Sequence, residues 1–173
     1  MSDCYNVFGI LYLRKGTYKL SMDYFNKAIK IKVKLNDKEG LSKCYTNKYN
    51  IHSKNKEFKK AIFYLNKSKK IKQELEDAVG LTKVNINLAS LHLQNGDIEN
   101  AKKQYQKVLK NGVNEIGIQE KGIFYNNFGN LSVQLNENKN ALKYFNNALE
   151  IFTKINNKKF VDIVKKNMEL LIK

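Results

Sequence analysis

Amide side chains recur at matching positions along this chain. Asn47, Asn87 and Asn127 stand 40 residues apart, and three residues after them stand Asn50, Ser90 and Asn130. Residues three apart lie on the same face of a helix. An amide offers two N–H donors and a carbonyl acceptor, so a row of amides can pair repeatedly with the backbone of an extended peptide, whatever its sequence. The alternative explanation is compositional, because asparagine is abundant throughout the chain.

Positive charge is the second candidate chemistry. The 32 Lys and Arg residues against 16 Asp and Glu give a net charge of +16, which would attract phosphate backbones, anionic membrane surfaces or acidic peptides. Arg14 is the sole arginine in the sequence, although recognition of phosphates and bases usually exploits the bidentate guanidinium group. A basic module for nucleic acid or anionic surfaces is therefore an alternative and not the leading hypothesis.

Catalytic and metal-binding motifs are absent from the sequence. There is no Gly-rich phosphate loop, His-Glu-x-x-His or Cys-x-x-Cys. His52 and His92 are too few for a metal site. Cys4 and Cys44 share the 40-residue spacing, so we expect both to be small apolar residues at one packing position. We predict no enzyme activity, no cofactor and no metal.

Helix hairpins must position these residues. The stretch 88–109 contains two amphipathic patterns joined by the turn Asn95-Gly96-Asp97, with Asp97 placed to cap the second helix. The pattern repeats every 40 residues, with small residues followed four positions later by bulky ones: Ser21, Ala61, Ala101 and Ala141, then Phe25, Leu65, Tyr105 and Phe145. The chain has no proline, the commonest helix breaker. We therefore predict an all-α fold.

The period also predicts the domain organisation. We expect a single domain over residues 1–173, with repeats at about 2–40, 41–81, 82–121 and 122–157 and a helix over 158–172 that caps the end. Asn111 and Gly112 indicate that one helix ends early, followed by an irregular connection to Gly122. No apolar run approaches the ~18 residues of a membrane span, and the N-terminus is a poor signal peptide. We expect a cytoplasmic protein.

Several of these positions carry a family resemblance. Phe8-Gly9, Tyr12, Gly16, Tyr18, Ser21, Phe25 and Ala28 resemble the pattern of the tetratricopeptide repeat (TPR), and similar sets occur from Leu88 and from Phe128. The period is longer than the usual ~34 residues, and a Leu-x-Asp-x-x-Gly connection follows the second helix at 35–40 and 75–80. This long variety resembles repeats of kinesin light chains, bacterial peptide-pheromone receptors and bacterial sensor proteins. The resemblance implies a right-handed α-solenoid of four helix hairpins plus a C-terminal capping helix.

The resemblance also implies where a partner binds. In this family the first helices line a concave groove, and the residue before the Leu-Gly pair points into it. The expected partner-binding residues are Asn47, Asn87, Asn127, Asn50, Ser90, Asn130, Lys43, Lys83, Lys54 and Arg14. Because the basic residues come from the first three repeats, opposed there by Asp3, we expect a preference for an acidic segment or a free carboxylate.

The known two-carboxylate clamp of the family is not matched. Asn6, Ile10 and Asn87 stand where the clamp requires Lys, Asn and Arg. The expected function is a non-enzymatic scaffold that binds an extended peptide or partner segment of a protein. Besides the nucleic-acid alternative, a peptide-sensing regulatory module that lacks its effector domain fits the same pattern.

Overall fold

The computed structural model describes residues 1–171, apart from the side chains of Asn111 and Leu170. Within that range the chain is helical and contains no strand. Its helices are α1 (Ser2–Arg14), α2 (Tyr18–Lys34), α3 (Lys38–Lys54), α4 (Phe58–Glu74), α5 (Ala78–Gln94), α6 (Ile98–Asn111), α7 (Ile118–Gln134), α8 (Asn138–Lys154) and α9 (Lys158–Met168), followed by a 3₁₀ turn (Glu169–Leu171). The predicted fold class, an all-α solenoid of helix hairpins, is confirmed.

Tight turns join most successive helices. Each turn contains one residue with positive φ, namely Gly16, Asn36, Lys56, Glu76, Gly96, Asn136 or Asn156. A left-handed residue after a helix lets the next N–H groups reach back to the last free carbonyls. Asp37, Asp97 and Asn157 then cap the following helices by accepting a backbone N–H. The cap predicted at Asp97 is confirmed.

The chain divides into two compact units. The first, Met1–Val84, holds α1 to α4 and the start of α5. In this unit Phe25 of α2 is fully buried against Gly9 of α1, where an added Cβ would overlap the phenyl ring. Ser21 Oγ donates to the Gly9 carbonyl over 2.6 Å. The small residue at position 9 therefore lets α1 and α2 approach closely.

The second unit, Asn85–Lys173, is described as far as Leu171. One buried cluster joins α5, α6 and α7 around Ala89, Tyr105 and Phe124. A second cluster, around Phe145, Phe152 and Val164, joins α8 to α9. The apolar face of α9 thus packs on the last hairpin, as the sequence pattern indicates for a capping helix.

Some boundaries differ from the sequence-based expectations. The irregular connection is shorter than predicted, because α7 begins at Ile118 and includes Gly122. The early end of α6 at Asn111 is confirmed. The predicted capping helix is α-helical only to Met168, and its last residue, Ile172, lies outside the described residues.

The two cysteines do not share one environment. Cys44 is fully buried, as expected, but Cys4 is exposed. Cys44 of α3 lies against α1, where its thiol donates to Asn6 over 3.5 Å, whereas Cys4 lies on an exposed side of α1. The prediction of a buried packing position is therefore wrong for Cys4.

Candidate functional site

A cleft in the first unit brings polar side chains of α1, α3 and α4 together. We call it the α1–α3 cleft; its volume is about 280 Å³. It is lined by Asn6, Ile10, Ser42, Lys43, Thr46, Asn47 and Lys72. Two of the predicted partner-binding residues, Lys43 and Asn47, therefore lie in one site.

Asn47 is oriented by a second amide. Its Nδ2 donates to Oδ1 of Asn6 over 3.2 Å, and the thiol of Cys44 donates weakly to the same oxygen over 3.5 Å. Burial raises the pKa of Cys44 to about 11, so the thiol stays protonated and is not a nucleophile. The Asn47 carbonyl makes no hydrogen bond within residues 1–171. Asn47 therefore keeps a free acceptor and one free N–H.

The same amide pair occurs in the second unit. Asn167 Nδ2 of α9 donates to Asn126 Oδ1 of α7 over 2.9 Å. Asn6 and Asn126 occupy equivalent repeat positions, as do Asn47 and Asn167. Within the predicted row, Asn47 thus has a structural role in linking α1 and α3, in addition to any role toward a partner.

The hydroxyl groups of the cleft are held by the protein itself. Ser42 Oγ lies 2.8 Å from Ser68 Oγ of α4, and Thr46 Oγ1 lies 3.1 Å from the same atom. Thr46 Oγ1 also donates to the Ser42 carbonyl over 3.0 Å. These bonds fix the wall formed by α3 and α4, so the unpaired polar atoms of Asn47 are the ones available to a ligand.

The two lysines of the cleft differ in availability. Lys72 Nζ is 2.6 Å from Asp77 Oδ2, and the hydrogen bond from Lys72, together with one from the Gly80 N–H, holds the pKa of Asp77 below its usual range. Lys43 pairs with Glu39 over 2.7 Å, but both side chains are more than 60% exposed. Such exposed pairs contribute little to stability, so Lys43 can exchange its partner for a ligand carboxylate.

The remaining predicted residues lie outside this cleft. In the first unit Arg14 and Lys54 are exposed, and Asn50 and Lys83 are half-buried. Asp3, expected to face these cations, instead pairs with Lys32 of α2 over 2.7 Å.

The second unit contributes Asn87, Ser90, Asn127 and Asn130, all half-buried. Ser90 Oγ accepts from Gln94 Nε2 over 3.3 Å, and Asn127 Oδ1 accepts from Asn126 Nδ2 over 3.4 Å. None of these four side chains lines the α1–α3 cleft, so their role toward a partner stays a prediction.

The sequence pattern did not predict three kinds of residue that make the contacts described above. Asn6 and Asn126 lie one position before the predicted row, and Asn167 lies beyond the fourth repeat. A repeat alignment compares equivalent positions only, so it does not reveal a hydrogen bond between neighbouring positions of successive repeats. Lys72 was missed because second helices are expected to lie away from the groove.

Two negative findings concern the described residues alone. No group of three or more His, Cys, Asp or Glu side chains there could hold a metal ion. None of the helices described is long and apolar enough to cross a membrane.

Comparison with known proteins gives a family and a fold. The model of the tetratricopeptide repeat matches residues 2–32, 82–111 and 124–154. No curated protein matches the sequence.

Two solved structures illustrate the fold. The apo form of RapI superposes with a TM-score of 0.83 at 20% identity, covering 98% of this chain and 62% of that one. BtubC (BKLC) from P. vanneervenii gives a TM-score of 0.78 at 18% identity, covering 90% of this chain and 64% of that one. The chain spans less than two thirds of the length of either protein.

Proposed function

Because the chain belongs to the tetratricopeptide repeat family, we propose that it is a protein-interaction scaffold that binds an extended peptide or partner segment in the groove lined by its first helices. Repeats of this family support the general role of a scaffold, and their fold is typically non-enzymatic. The α1–α3 cleft supports the finer proposal of peptide binding. The side chains of Asn47 and Lys43 in this cleft would make the contact.

The observation that carries the proposal is the state of Asn47. Its hydrogen bond to Asn6 holds the side chain in one orientation, while its carbonyl and second N–H have no partner in residues 1–171. A peptide backbone offers one N–H and one carbonyl per residue. Asn47 can therefore pair with one residue of an extended segment without a change of rotamer, which lowers the entropic cost of binding.

The surroundings of Asn47 favour a segment of mixed character. Ile10 supplies an apolar contact on α1, and Lys43 supplies a cation whose present pair with Glu39 is exposed and weak. We therefore propose that the segment carries an acidic residue, or its own terminal carboxylate, near Lys43. A charge-assisted hydrogen bond to Lys43 would fix its register.

The test uses peptides selected from a random library on the purified chain, with affinities measured by titration calorimetry. We expect Asn47→Ala to weaken the selected peptides about tenfold, since it removes two hydrogen bonds of ~0.5–1.5 kcal/mol each. Simultaneous replacement of Asn47, Asn87 and Asn127 by alanine should abolish binding. Circular dichroism should show unchanged helicity in both variants.

The matched control is Asn66→Ala, which makes the same substitution at an exposed position of α4. This control should bind like the parent chain. Equal losses in the Asn47 and Asn66 variants, or no loss in either, would show that the cleft is not the peptide site. Replacing Lys43 by methionine tests the charge preference, because acidic peptides should then lose their advantage over neutral ones.

A further inference from the structure

A buried lysine occupies a position that is apolar in the other repeats. Lys48 of α3 is 7% exposed, and the equivalent residues are Phe8, Leu88 and Phe128. Leu88 and Phe128 are themselves buried, with 3% and 8% exposure. The second repeat therefore places a cation where its relatives in the same chain place packing side chains.

The ammonium group of Lys48 has no carboxylate partner among the described residues. Its Nζ donates to Asn26 Oδ1 over 2.9 Å and lies 4.3 Å from the centre of the Tyr64 ring. The other buried lysine of this unit, Lys32, contrasts with it, because it is neutralised by Asp3 and Asp37 at 2.7 and 2.6 Å. Burying a charge is costly unless it is paired with an opposite charge. The surroundings of Lys48 supply no such counter-ion, so a bound anion would stabilise its charge.

Lys48 lies in an open cleft between α2 and α4 that has α3 as its floor. The cleft has a volume of about 540 Å³, and we call it the Lys48 cleft. Lys59 lines it and makes no ion pair or hydrogen bond in the described structure. Lys60 and His52 also line it, but both are bound to Glu57, at 2.6 Å each. The cleft thus contains two cations, Lys48 and Lys59, that no protein carboxylate neutralises.

The walls of the same cleft are partly apolar. Met22 of α2 and Phe63 of α4 line it, and Phe63 is 53% exposed. Lys67 Nζ lies 4.7 Å from the centre of the Phe63 ring, yet about half of this side chain remains exposed beside the cleft, where it can contact an apolar group. A ligand for this cleft therefore needs an anionic end and an apolar body.

We propose that the Lys48 cleft binds a phosphate monoester carried on an aromatic or apolar body. Such an ester carries a charge of about −1.5 to −2 at neutral pH, which matches the two unneutralised cations. Lys48 and Lys59 hold the phosphate, and Phe63 and Met22 contact the body. This site lies between second helices and is independent of the peptide groove proposed above.

The test is titration calorimetry of the full chain with phenyl phosphate, adenosine monophosphate, phosphotyrosine amide and inorganic phosphate. At least one ester should bind saturably and more tightly than inorganic phosphate. The preferred ester distinguishes a nucleotide from a phosphorylated side chain as the source. Phe63→Ala should weaken the ester and leave inorganic phosphate unchanged.

Lys48→Met removes the charge and keeps an apolar side chain of similar length. We expect it to weaken the ester about tenfold or more, the loss typical of one charge-assisted hydrogen bond. Its midpoint of denaturation should equal or exceed that of the parent chain, because the equivalent positions are apolar. A loss of binding in this variant therefore does not come from unfolding.

The control is Lys103→Met, which removes an exposed lysine of α6 outside the cleft. Unchanged affinity in this control and a loss in the Lys48 variant support the proposal. Absence of saturable binding by every ester up to millimolar concentration overturns it. Equal losses in the two variants also overturn it, because they would show diffuse attraction to the lysines.

Discussion

The two buried lysines of the first unit, Lys32 and Lys48, have different partners. Lys32 of α2 joins α1, through Asp3, to the turn before α3, through Asp37. Burial alone would lower the pKa of Lys32, but its hydrogen bonds to Asp3 and Asp37 raise the pKa above the ordinary value. Lys48 has an amide and an aromatic ring in place of these carboxylates. Lys32 is therefore a structural cation, while Lys48 is the cation proposed above to hold a phosphate monoester.

The pH dependence of stability should report the Lys32 cluster. The hydrogen bond from Lys32, with one from the Gly40 N–H, lowers the pKa of Asp37. A lowered folded pKa contributes stability that is present above the unfolded value of about 3.9 and is lost as the pH falls through the folded value. Asp37→Asn should destabilise the chain by roughly 1 kcal/mol at pH 7. The gap to the parent chain should begin to narrow below about pH 4 and close once the pH lies below the folded pKa of Asp37.

Urea denaturation between pH 2 and 8 measures this gap. Glu150→Gln is the control, since Glu150 is exposed and makes no ion pair in the described range. This control should follow the parent curve at every pH. A gap for Asp37→Asn that persists unchanged at the lowest pH would show that the carboxylate charge is not what stabilises this turn.

Among the secondary-structure elements, the short turns between helices set the geometry of each hairpin. Gly16 and Gly96 adopt left-handed conformations that glycine tolerates well, with φ of 76° and 77°. Lys56 and Glu76 take the same role with φ of 57° and 52°, at a steric cost that glycine does not have. The turns without glycine are therefore less favourable than their equivalents elsewhere in the chain.

Glycine at these two turns should stabilise the chain. We expect Lys56→Gly and Glu76→Gly each to raise the free energy of unfolding by roughly 0.5–1 kcal/mol, because the left-handed residue no longer carries a Cβ. Thermal and urea denaturation, followed by circular dichroism, measure the change.

The control for this pair is Lys103→Gly, which places the same residue change within α6. It should lower stability by about 1 kcal/mol, the cost of glycine in a helix. If all three glycine variants were destabilised alike, the left-handed turns would carry no strain that glycine relieves.

The charge imbalance acts at the scale of the whole molecule. A net charge of +16 in 173 residues makes the folded chain repel itself. Some lysines of α2 and α4 lie over aromatic rings instead of beside carboxylates: Lys27 is 5.3 Å from the Tyr24 ring centre, and Lys67 is 4.7 Å from that of Phe63. These contacts leave the charge itself uncompensated.

Salt should therefore stabilise the chain. Raising the NaCl concentration from about 0.01 to 0.15 M shortens the screening length from roughly 30 to 8 Å. We expect a rise in the urea midpoint. Salt screens the long-range repulsion among the excess cations more than the attraction within the few close ion pairs. In a variant with Lys103→Glu and Lys143→Glu the rise should be smaller. A midpoint that falls with salt would mean that the surface ion pairs dominate over the net repulsion.

The helical class, the period and the family are predictable from the sequence alone. Spacing of small and bulky residues, such as Ser21 with Phe25 and Ala141 with Phe145, reports packing within a hairpin, and each such pattern is local in the chain. The turn and cap residues, such as Gly96 and Asp97, are equally local signals, so their role was predictable.

Differences between equivalent residues of the repeats become visible in the three-dimensional packing. Equivalent repeat positions are occupied by Cys4 and Cys44, and again by Lys48 and Leu88. The surroundings of each residue depend on side chains contributed by another helix. The amide pairs Asn6–Asn47 and Asn126–Asn167 join positions that lie out of register. A repeat pattern describes one helix hairpin at a time, whereas hydrogen bonds and burial are set by atoms from helices far apart in the chain.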